Sequence, residues 1–540
     1  MPKSVSRVLL SSVFGPFTVD DEFGSRAINP MELYQNQVTR AQGPFSLRMH
    51  HRSWGIMMIQ RNIQAPCTVL DFPTSARFVE ELNAHAYDVV GISGIVANVG
   101  KVREMCRLVR RHSPHSIVVV GGHVAAIPGI ERLIDADHIV KGEGIRWLRR
   151  LLGENVDAPI EHPAIPSSFG FRLMGVSPPG ANGESATIIP SVGCPMGCGF
   201  CATSSFFGGK GNFVNFYESG VELFEVMRQA EQRLRVRTFF VMDENFLLYR
   251  KRAMELLAEM KRHKKAWSLY VFSSANAIRK YTMRELVELG IAWVWMGLES
   301  PLASYAKLKD TDTVALTQTL RSHGIRVQGS TIVGLEHHTP DNLSGEIEHA
   351  VAHEADFHQF MLYTPVPGTA LHAEMEAAGR MLPGVDLADI HGQYKFNFRH
   401  DHIERDASKA WLDYAFQRDL EVNGPSLFRM MATMFEGWRR YGRDADPRVR
   451  ERVAQDARKL KFGYGAALWA MERYLPSGSA VGARVRALRL DIEREFGWLT
   501  RLTARTLGPV LLSRTRAEAA RYPGGRPMEP RTFVDRRNWV

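Results

Sequence analysis

The feature that most constrains this chain is one loop that carries three closely spaced cysteines. Cys194, Cys198 and Cys201 follow a β-type run and can hold one metal centre from a single loop. A structural zinc site normally uses four protein ligands, and a cubane iron–sulfur cluster takes one ligand per iron. The only other cysteines, Cys67 and Cys106, lie near no second metal-type pair. The loop therefore suggests a [4Fe–4S] cluster in which one iron accepts a non-protein ligand.

Two plainer interpretations of the three cysteines stay open. A distant histidine could complete a zinc knuckle, or the three thiols could bind no metal at all. Composition does not decide between them, but it bounds the rest. With 540 residues, 45% hydrophobic and 23% charged, the chain is long enough for three or four folded domains. Five cysteines favour a reducing compartment, and we expect a cytoplasmic protein with no signal peptide and no membrane-spanning segment.

The chain is basic, with a formal net charge of +10 and a pI of about 9.4. Such a surplus can favour nucleic acid, an anionic membrane surface or a phosphorylated substrate. It can equally be an arginine-rich surface that reflects genomic base composition. The position of the charge therefore matters more than its sum.

The first 152 residues alternate between strand-type and helix-type runs. Runs rich in Val and Ile, separated by amphipathic helices, indicate a parallel sheet with right-handed crossovers and with ligands at the carboxyl ends of its strands. The predicted strands are residues 6–12, 67–71, 88–93, 117–121 and 138–141. Glycine-rich turns follow three of these strands, at residues 93–100, 121–126 and 142–144, where they let the backbone approach a flat or bulky ligand.

The cysteine loop, residues 191–201, resembles that of the radical S-adenosylmethionine (SAM) enzymes. The resemblance implies that the open iron binds the amino and carboxylate groups of SAM, and that Phe200 packs near the adenine. It also implies a 5′-deoxyadenosyl radical that abstracts hydrogen from carbons too inert for acid or base chemistry. After a proline- and glycine-rich stretch at 155–184, which we interpret as a linker, residues 185–385 carry enough alternating elements for the family's partial (β/α)6 barrel.

Five strand-end motifs follow the cysteine loop in the order typical of the family, at residues 238–246, 267–276, 293–300, 327–335 and 358–369. Any one of these motifs could be only a helix cap. The resemblance implies that Asp243 and Glu244 address the SAM amino group, and that Glu299 and Ser300 address its ribose or carboxylate. Gly334 would lie under the adenine. Tyr363 is a candidate on the substrate side, and no catalytic acid or base can be named.

The amino-terminal region, residues 1–154, resembles the Rossmann-like cobalamin-binding domain that many radical SAM enzymes carry. Eight residues would lie against the corrin: Ser93, Gly94, Ile95, Gly121, Gly122, Gly142, Glu143 and Gly144. The turn after the first strand has no histidine to bind cobalt from below, and we do not assign His123 to that role. A nucleotide-binding or purely scaffolding module remains an alternative for this domain.

Residues 386–540 are predicted to form a helical, arginine-rich domain with aromatic and leucine side chains between the arginines. A basic helix of this kind can lie in a membrane interface, although an ordinary helical domain with a solvated arginine face explains the pattern equally well. We find no nucleic-acid-binding module and expect no nucleic-acid partner.

The sequence thus predicts an α/β protein that resembles cobalamin-dependent radical SAM C-methyltransferases such as the hopanoid methylases. The resemblance implies a [4Fe–4S] cluster, SAM and cobalamin as cofactors, and an external one-electron reductant of the flavodoxin or ferredoxin type. We expect methylation of an unactivated carbon of a small substrate, lipid-like or isoprenoid, with peripheral membrane contact. A radical SAM enzyme that rearranges, cyclises or couples carbon atoms without methylation, and a non-catalytic metal or cobalamin carrier, remain alternatives.

Overall fold

The computed structural model describes residues 6–19, 21–24, 32–167, 171–177, 185–300 and 311–539. The amino-terminal part contains β1 (Val8–Ser12), α1 (Leu33–Gln37), β2 (Arg48–Met49), α2 (Trp54–Arg61), β3 (Cys67–Asp71), α3 (Ser75–Ala84), β4 (Val89–Ser93), α4 (Val99–His112), β5 (Ile117–Gly121), β6 (His138–Ile139) and α5 (Gly144–Leu152). All five predicted strands of this region are present, and β1, β3, β4, β5 and β6 run parallel in the order β3-β1-β4-β5-β6.

The middle part of the chain carries the strands and helices of the barrel, together with several two-residue strands. It contains β7 (Ile165–Pro166), β8 (Phe171–Arg172), β9 (Ser185–Ile188), β10 (Ser191–Val192), α6 (Ala202–Phe206), β11 (Val214–Asn215), α7 (Gly220–Leu234), β12 (Thr238–Val241), α8 (Arg250–Arg262), β13 (Ser268–Phe272), α9 (Ala275–Ile278), α10 (Met283–Leu289), β14 (Ile291–Gly297), α11 (Thr313–Ser322), β15 (Arg326–Val333), α12 (Pro340–Ala352), β16 (Phe357–Leu362) and α13 (Ala370–Ala377). Six parallel strands, β9 and β12 to β16, make the partial barrel, and their apolar outer faces pack on the surrounding helices.

The stretch predicted as a linker, 155–184, is partly structured. Its strand β7 pairs antiparallel with β9 at the edge of the barrel sheet, and its strand β8 pairs with β2. Residues 168–170 and 178–184 of the same stretch lie outside the described residues. Lack of periodicity did not reveal these strands, because two residues are too few to show it.

The open side of the partial barrel is occupied by an amino-terminal segment. Tyr34 and Gln37 of α1 lie against β16, where the Tyr34 ring meets Phe357 at 6.0 Å and Gln37 accepts a hydrogen bond from Gln359 (2.7 Å). The His51 ring stacks on Phe240 of β12 at 5.7 Å. The segment from α1 to His51, which precedes β3 in the chain, thus completes the interior of the barrel.

The carboxy-terminal part is helical, as predicted, except for its last strand. It contains α14 (Arg405–Asn423), α15 (Ser426–Tyr441), α16 (Pro447–Lys459), a π-helical turn (Leu460–Tyr464), α17 (Gly465–Tyr474), α18 (Ala480–Phe496), α19 (Trp498–Arg521) and β17 (Phe533–Arg537). Helices α18 and α19 are separated by Gly497, whose φ of +83° is not helical.

Strand β17 returns to the amino-terminal sheet and pairs antiparallel with β3 over five residue pairs. The guanidinium of Arg536 binds the buried Glu81 carboxylate (2.7 and 2.8 Å), and Arg7 lies over the Trp539 ring. The strand covers an edge that would otherwise expose unpaired backbone groups.

Deletion of residues 530–540 is expected to destabilise the amino-terminal domain by about 3 kcal/mol, since several ladder hydrogen bonds of ~1 kcal/mol each are lost. For a domain of this size the unfolding midpoint then falls by roughly 6–12 °C, which calorimetry can measure. Arg531→Ala serves as the control, because Arg531 is exposed and lies in the same tail. An unchanged midpoint after the deletion would show that β17 adds nothing to the stability of this sheet.

Candidate functional site

The cysteine loop follows β10, which pairs with β11 outside the barrel sheet, and leads into α6. Its turn is closed by the Cys201 N–H, which donates to the Cys198 carbonyl (3.0 Å), and by the Ser204 hydroxyl, which donates to the Cys194 carbonyl (3.0 Å). Gly197 has φ +68°, and a Cβ there would lie 2.4 Å from Cβ of Lys210. Only glycine fits this position, so the spacing of the thiols is fixed by the backbone.

Two of the three thiols lie where burial disfavours the free thiolate. Burial raises the pKa of the Cys194 thiol to about 11 and also raises that of Cys201. The Ser204 N–H, at the start of α6, points at Sγ of Cys201 (3.5 Å), where the helix amino terminus favours negative charge. A bound metal centre would supply the positive charge that stabilises these thiolates at half-buried positions.

The three sulfurs are not all close together in this structure. In the described part of the chain, the only group of three or more His, Cys, Asp or Glu side chains whose ligand atoms all lie within 4.8 Å of one another is His337, His338 and Glu346. At least one pair of the three cysteine sulfurs is therefore more than 4.8 Å apart, a separation that rotation of the side chains about χ1 can change.

The histidine group itself is unsuited to a metal. Nδ1 of His338 accepts N–H groups from Gly334 (3.0 Å) and Leu335 (3.2 Å). The proton of the neutral ring then sits on Nε2, which has no lone pair left for an ion. His338 is better explained as a buried side chain that stabilises the turn after β15 by accepting hydrogen bonds from its backbone.

A cavity of about 500 Å³ opens above the cysteine loop at the carboxyl ends of the barrel strands, and we name it the thiol cavity. All three cysteines line it, together with four of the residues expected around SAM or the substrate: Phe200, Glu244, Glu299 and Tyr363. Glu299 is buried and holds φ +48°, a conformation that costs energy for a residue with a side chain and is enriched at functional sites.

Three residues expected around SAM are absent from the described lining of the thiol cavity. The Asp243 carboxylate accepts a hydrogen bond from Ser191 (2.8 Å) and forms a buried ion pair with Arg252. The Ser300 hydroxyl lies 3.1 Å from Nε2 of His337. Gly334 has φ +79°, and a Cβ there would lie 2.3 Å from the Phe396 ring, so packing alone requires glycine at this position.

The buried Asp243–Arg252 pair predicts a large stability effect. Arg252→Met leaves a buried carboxylate without its cation, which we expect to cost about 3–5 kcal/mol. Denaturant unfolding measures the loss, and adding Asp243→Asn to the same chain should recover much of it. Arg228→Met, which breaks a partly exposed surface pair with Glu225, is the control and should change stability by less than about 1 kcal/mol. If Arg252→Met were as stable as the parent chain, the ion pair would not account for Asp243, and a role in ligand binding would be favoured instead.

A second cavity of about 460 Å³ reaches from the strand ends down between the amino-terminal sheet and helices α2 and α5; we name it the sheet cavity. Six of the eight residues expected around the corrin line it: Ser93, Gly121, Gly122, Gly142, Glu143 and Gly144. No heavy atom lies within 4 Å of a Cβ built at Gly142, so the absence of side chains creates the space.

The other residues of that set have different surroundings. Ile95 lines the thiol cavity, whereas a Cβ at Gly94 would lie 2.7 Å from Val102, and the Gly94 carbonyl accepts the Val124 N–H (3.1 Å). Glu143 lines the sheet cavity, but its carboxylate caps α5 by accepting backbone N–H groups, including that of Arg146 (3.1 Å). Gly94 and Glu143 therefore shape the turns that border the cavity.

Two side chains, His123 and Glu244, line both cavities. The His123 ring packs on Phe206 of α6 at 4.9 Å, and burial lowers the pKa of its imidazole, which keeps it neutral. Burial, and then the neighbouring Asp243, raises the pKa of Glu244 to about 7, so that its carboxyl can donate or accept a hydrogen bond near neutral pH. The shared wall brings the cysteine loop and the glycine turns of the first sheet together.

Sequence reasoning missed a row of polar side chains along the barrel's inner face. Trp295 donates to the Ser330 hydroxyl (2.6 Å), and Ser330 donates to Gln359 (2.8 Å). All three line the thiol cavity and sit on adjacent strands. The signal that could have found them is the period-two alternation along β14, β15 and β16, which puts them on one face.

Comparisons with known proteins agree with this geometry. The radical SAM superfamily model matches residues 188–349, and the B12 binding domain model matches residues 48–152. An uncharacterised methyltransferase of Pyrococcus horikoshii is 24% identical over 342 residues, which are 56% of this chain and 72% of that protein. The hopanoid C-2 methylase of Rhodopseudomonas palustris is 23% identical over 348 residues, 61% of this chain and 62% of that protein.

Among solved structures, the chain is similar to the radical S-adenosylmethionine methyltransferase TsrM from Kitasatospora setae, a structure with cobalamin and a [4Fe–4S] cluster bound. The TM-score is 0.48 at 16% identity, and the alignment covers 91% of this chain and 99% of that one.

Within the described residues, no helix combines the length and the apolar character needed to cross a bilayer.

Proposed function

We propose that this chain, which carries a radical SAM domain and a B12-binding domain in front of the cysteine loop, methylates an unactivated carbon of a small, lipid-like substrate. It is a cobalamin-dependent radical SAM enzyme of the methyltransferase group. Its cofactors are a [4Fe–4S] cluster, SAM and cobalamin. When bound, they supply hydrogen abstraction from an inert carbon and a transferable methyl group.

The observation that carries this proposal is the shared wall between the two cavities. Methyl transfer needs the cobalamin and the SAM cluster to act on one substrate, and the thiol cavity and the sheet cavity have His123 and Glu244 in common. A protein that only stored cobalamin would not need this proximity. The boundaries 1–154, 155–184, 185–385 and 386–540 remain our proposal for the domains.

Within the thiol cavity we propose that Cys194, Cys198 and Cys201 hold the cluster. Phe200, Glu244 and Glu299 contact SAM, and Tyr363 lies on the substrate side. Asp243, Ser300 and Gly334 support this set from behind, through the contacts described for each of them.

For the sheet cavity we propose the corrin and its nucleotide tail as ligand. Backbone at Gly121, Gly122, Gly142 and Gly144 borders the ligand, Ser93 offers a hydroxyl, and Glu143 fixes the start of α5. Gly94 and Ile95 contribute from the adjacent turn. The apolar helix faces below the strand ends suit a tail that has left the cobalt, so we expect a base-off cobalamin spectrum.

The substrate and partners are proposed from the thiol cavity and from the relatives. The cavity is lined largely by apolar and aromatic side chains, among them Phe272, Trp295, Ile332, Met361 and Val366. A relative is named hopanoid C-2 methylase. A lipid-like or isoprenoid substrate met at a membrane surface fits both. The cluster also needs an external one-electron donor of the flavodoxin or ferredoxin type, and we propose a cytoplasmic enzyme with peripheral membrane contact.

The test is turnover with SAM that carries a deuterated methyl group, under anaerobic conditions with reductant and added cobalamin, on candidate isoprenoid substrates. We expect 5′-deoxyadenosine together with product that contains the deuterated methyl group. 5′-Deoxyadenosine with an unlabelled product would replace methylation by rearrangement, cyclisation or carbon–carbon coupling. No 5′-deoxyadenosine above background would leave a metal or cobalamin carrier.

A further inference from the structure

Helix α19 exposes an unusual amount of apolar surface. Of the 13 large apolar side chains that are exposed among the described residues, five lie on this one helix. Trp498 is 69% exposed and Val510 is 54% exposed, and Leu499 and Leu502 are also open to solvent. Isolated exposed apolar residues need no explanation, but a cluster on one helix indicates a contact surface.

Four of the five exposed apolar side chains are on one side of the helix, and Leu507 lies about 60° outside this group. At about 100° per residue, Trp498, Leu499, Leu502 and Val510 fall within about 120° of one another. The buried residues of α19, Thr500, Ala504, Gly508, Thr515 and Glu518, lie on the opposite side. That buried side faces α17, where a Cβ at Gly508 would touch the Trp469 ring. We call the exposed side, with its four apolar residues, the α19 face.

Positive charge surrounds the α19 face. The helix carries five arginines, Arg501, Arg505, Arg514, Arg516 and Arg521, and a single acidic residue, Glu518. Glu518 is committed to Arg172, which it binds at 2.6 and 2.8 Å. In the described structure none of the five arginines has a carboxylate within 4.0 Å, whereas Arg489 on the neighbouring helix α18 binds both Glu472 and Glu493.

We infer that the α19 face binds an anionic lipid surface. Apolar side chains flanked by unpaired arginines match the layered chemistry of a bilayer, in which acyl chains lie beneath phosphate headgroups. A second copy of the chain is a poor occupant, because a symmetric contact would bring the same unpaired arginines together. A nucleic acid would satisfy the arginines but would leave Leu499, Leu502 and Val510 exposed. This inference rests on the proposed membrane contact and names the surface that makes it.

The experiment is flotation of the full-length protein with vesicles of phosphatidylcholine alone or of phosphatidylcholine mixed with phosphatidylglycerol. The parent chain should bind the mixed vesicles at least about tenfold more tightly than the neutral ones, because the arginines add attraction to anionic headgroups. Leu502→Gln combined with Val510→Gln should weaken binding to the mixed vesicles about tenfold, since the apolar anchors are lost. Arg505→Glu combined with Arg516→Glu should remove the preference for anionic lipid.

Val221→Gln is the matched control, because Val221 is also 54% exposed but lies on α7 of the barrel. It should bind vesicles like the parent chain. The inference is overturned if the parent chain ignores lipid charge, if the Leu502/Val510 variant binds like the parent, or if single-stranded RNA is bound and the vesicles are not. 5′-Deoxyadenosine formation, measured on the same preparations, should not change with these variants. Absence of 5′-deoxyadenosine formation by the parent chain would contradict the proposed function and would not affect the conclusion from the vesicles.

Discussion

Replacing any one of Cys194, Cys198 and Cys201 with alanine is expected to lower 5′-deoxyadenosine formation by roughly 10³-fold or more, a loss of about 4 kcal/mol or more in transition-state stabilisation. Three thiols on one loop must hold the whole cluster, so that losing one removes a third of its protein ligands. Iron content should fall with activity, and both are measured on anaerobically reconstituted protein, by metal analysis and by chromatography of the nucleoside.

Cys106→Ala is the matched control. Cys106 is fully buried among the side chains of the first sheet's core, where burial raises the pKa of its thiol to about 12. An inert thiol in a core contributes packing, so we expect a loss of about 1 kcal/mol in stability and unchanged iron content. Bound zinc in place of iron, or full activity in the alanine variants of the loop, would contradict the assignment of the loop.

The cysteine loop could be predicted because its information is local. The spacing of Cys194, Cys198 and Cys201 and the turn glycine between them lie within one short stretch, and the structure adds only the hydrogen bonds that close it. The alternating sheets were predictable for the same reason. Several buried parallel strands, such as β5 and β12, are short runs rich in Val, Ile or Phe that the sequence displays directly.

Adjacent residues at a strand end were harder to assign, because neighbours point in opposite directions. Asp243 and Glu244 follow β12 together, yet Glu244 lines both cavities whereas Asp243 turns to Arg252 on α8. Gly334 is predicted to lie beneath adenine, and the structure adds a packing reason for glycine there, the Phe396 ring 62 residues later in the chain. Residue type and position on a strand therefore indicate which turns can carry a site, and they leave the direction of each side chain undetermined.

Contacts between distant segments could not be predicted at all. Strand β17 is a short run near the carboxyl end, and nothing in it indicates pairing with β3, more than 450 residues earlier. Tyr34 and Gln37 likewise close a barrel whose first parallel strand begins about 150 residues later. Such contacts depend on how folded parts meet, and a single sequence carries no periodic signal for this.

These long contacts explain why the two cavities meet. The turn after β5 packs against α6, through His123 and Phe206. On the barrel side, a Cβ at Gly368 would lie 2.4 Å from the Ala126 carbonyl oxygen, so that backbone approaches backbone there. Strand β17 fastens the first sheet to the carboxy-terminal helices as well. The sheet cavity consequently adjoins the thiol cavity. Because the two cavities share only His123 and Glu244 among their described lining residues, a substitution elsewhere can block the sheet cavity without damaging the thiol cavity.

Gly121→Leu is expected to separate the two functions. The backbone of Gly121 is outside the left-handed region, and a Cβ there would meet only the Val140 carbonyl, at 3.9 Å, so leucine is compatible with the strand end. The added side chain extends into the sheet cavity and competes with the corrin. An overpacking cost of about 1–3 kcal/mol corresponds to a roughly fivefold to 150-fold weaker affinity for cobalamin. Bound cobalamin, measured by its visible spectrum, and methylated product should fall together.

Formation of 5′-deoxyadenosine should continue in the same variant, because Gly121 does not line the thiol cavity and the cysteine loop is untouched. Gly345→Leu is the matched control: Gly345 is an exposed glycine of α12 with nothing within 4 Å of its Cβ, so the same substitution should change neither cobalamin nor activity. Full cobalamin binding by Gly121→Leu would move the corrin out of the sheet cavity. Joint loss of cobalamin and 5′-deoxyadenosine would show that the shared wall makes each site depend on the other.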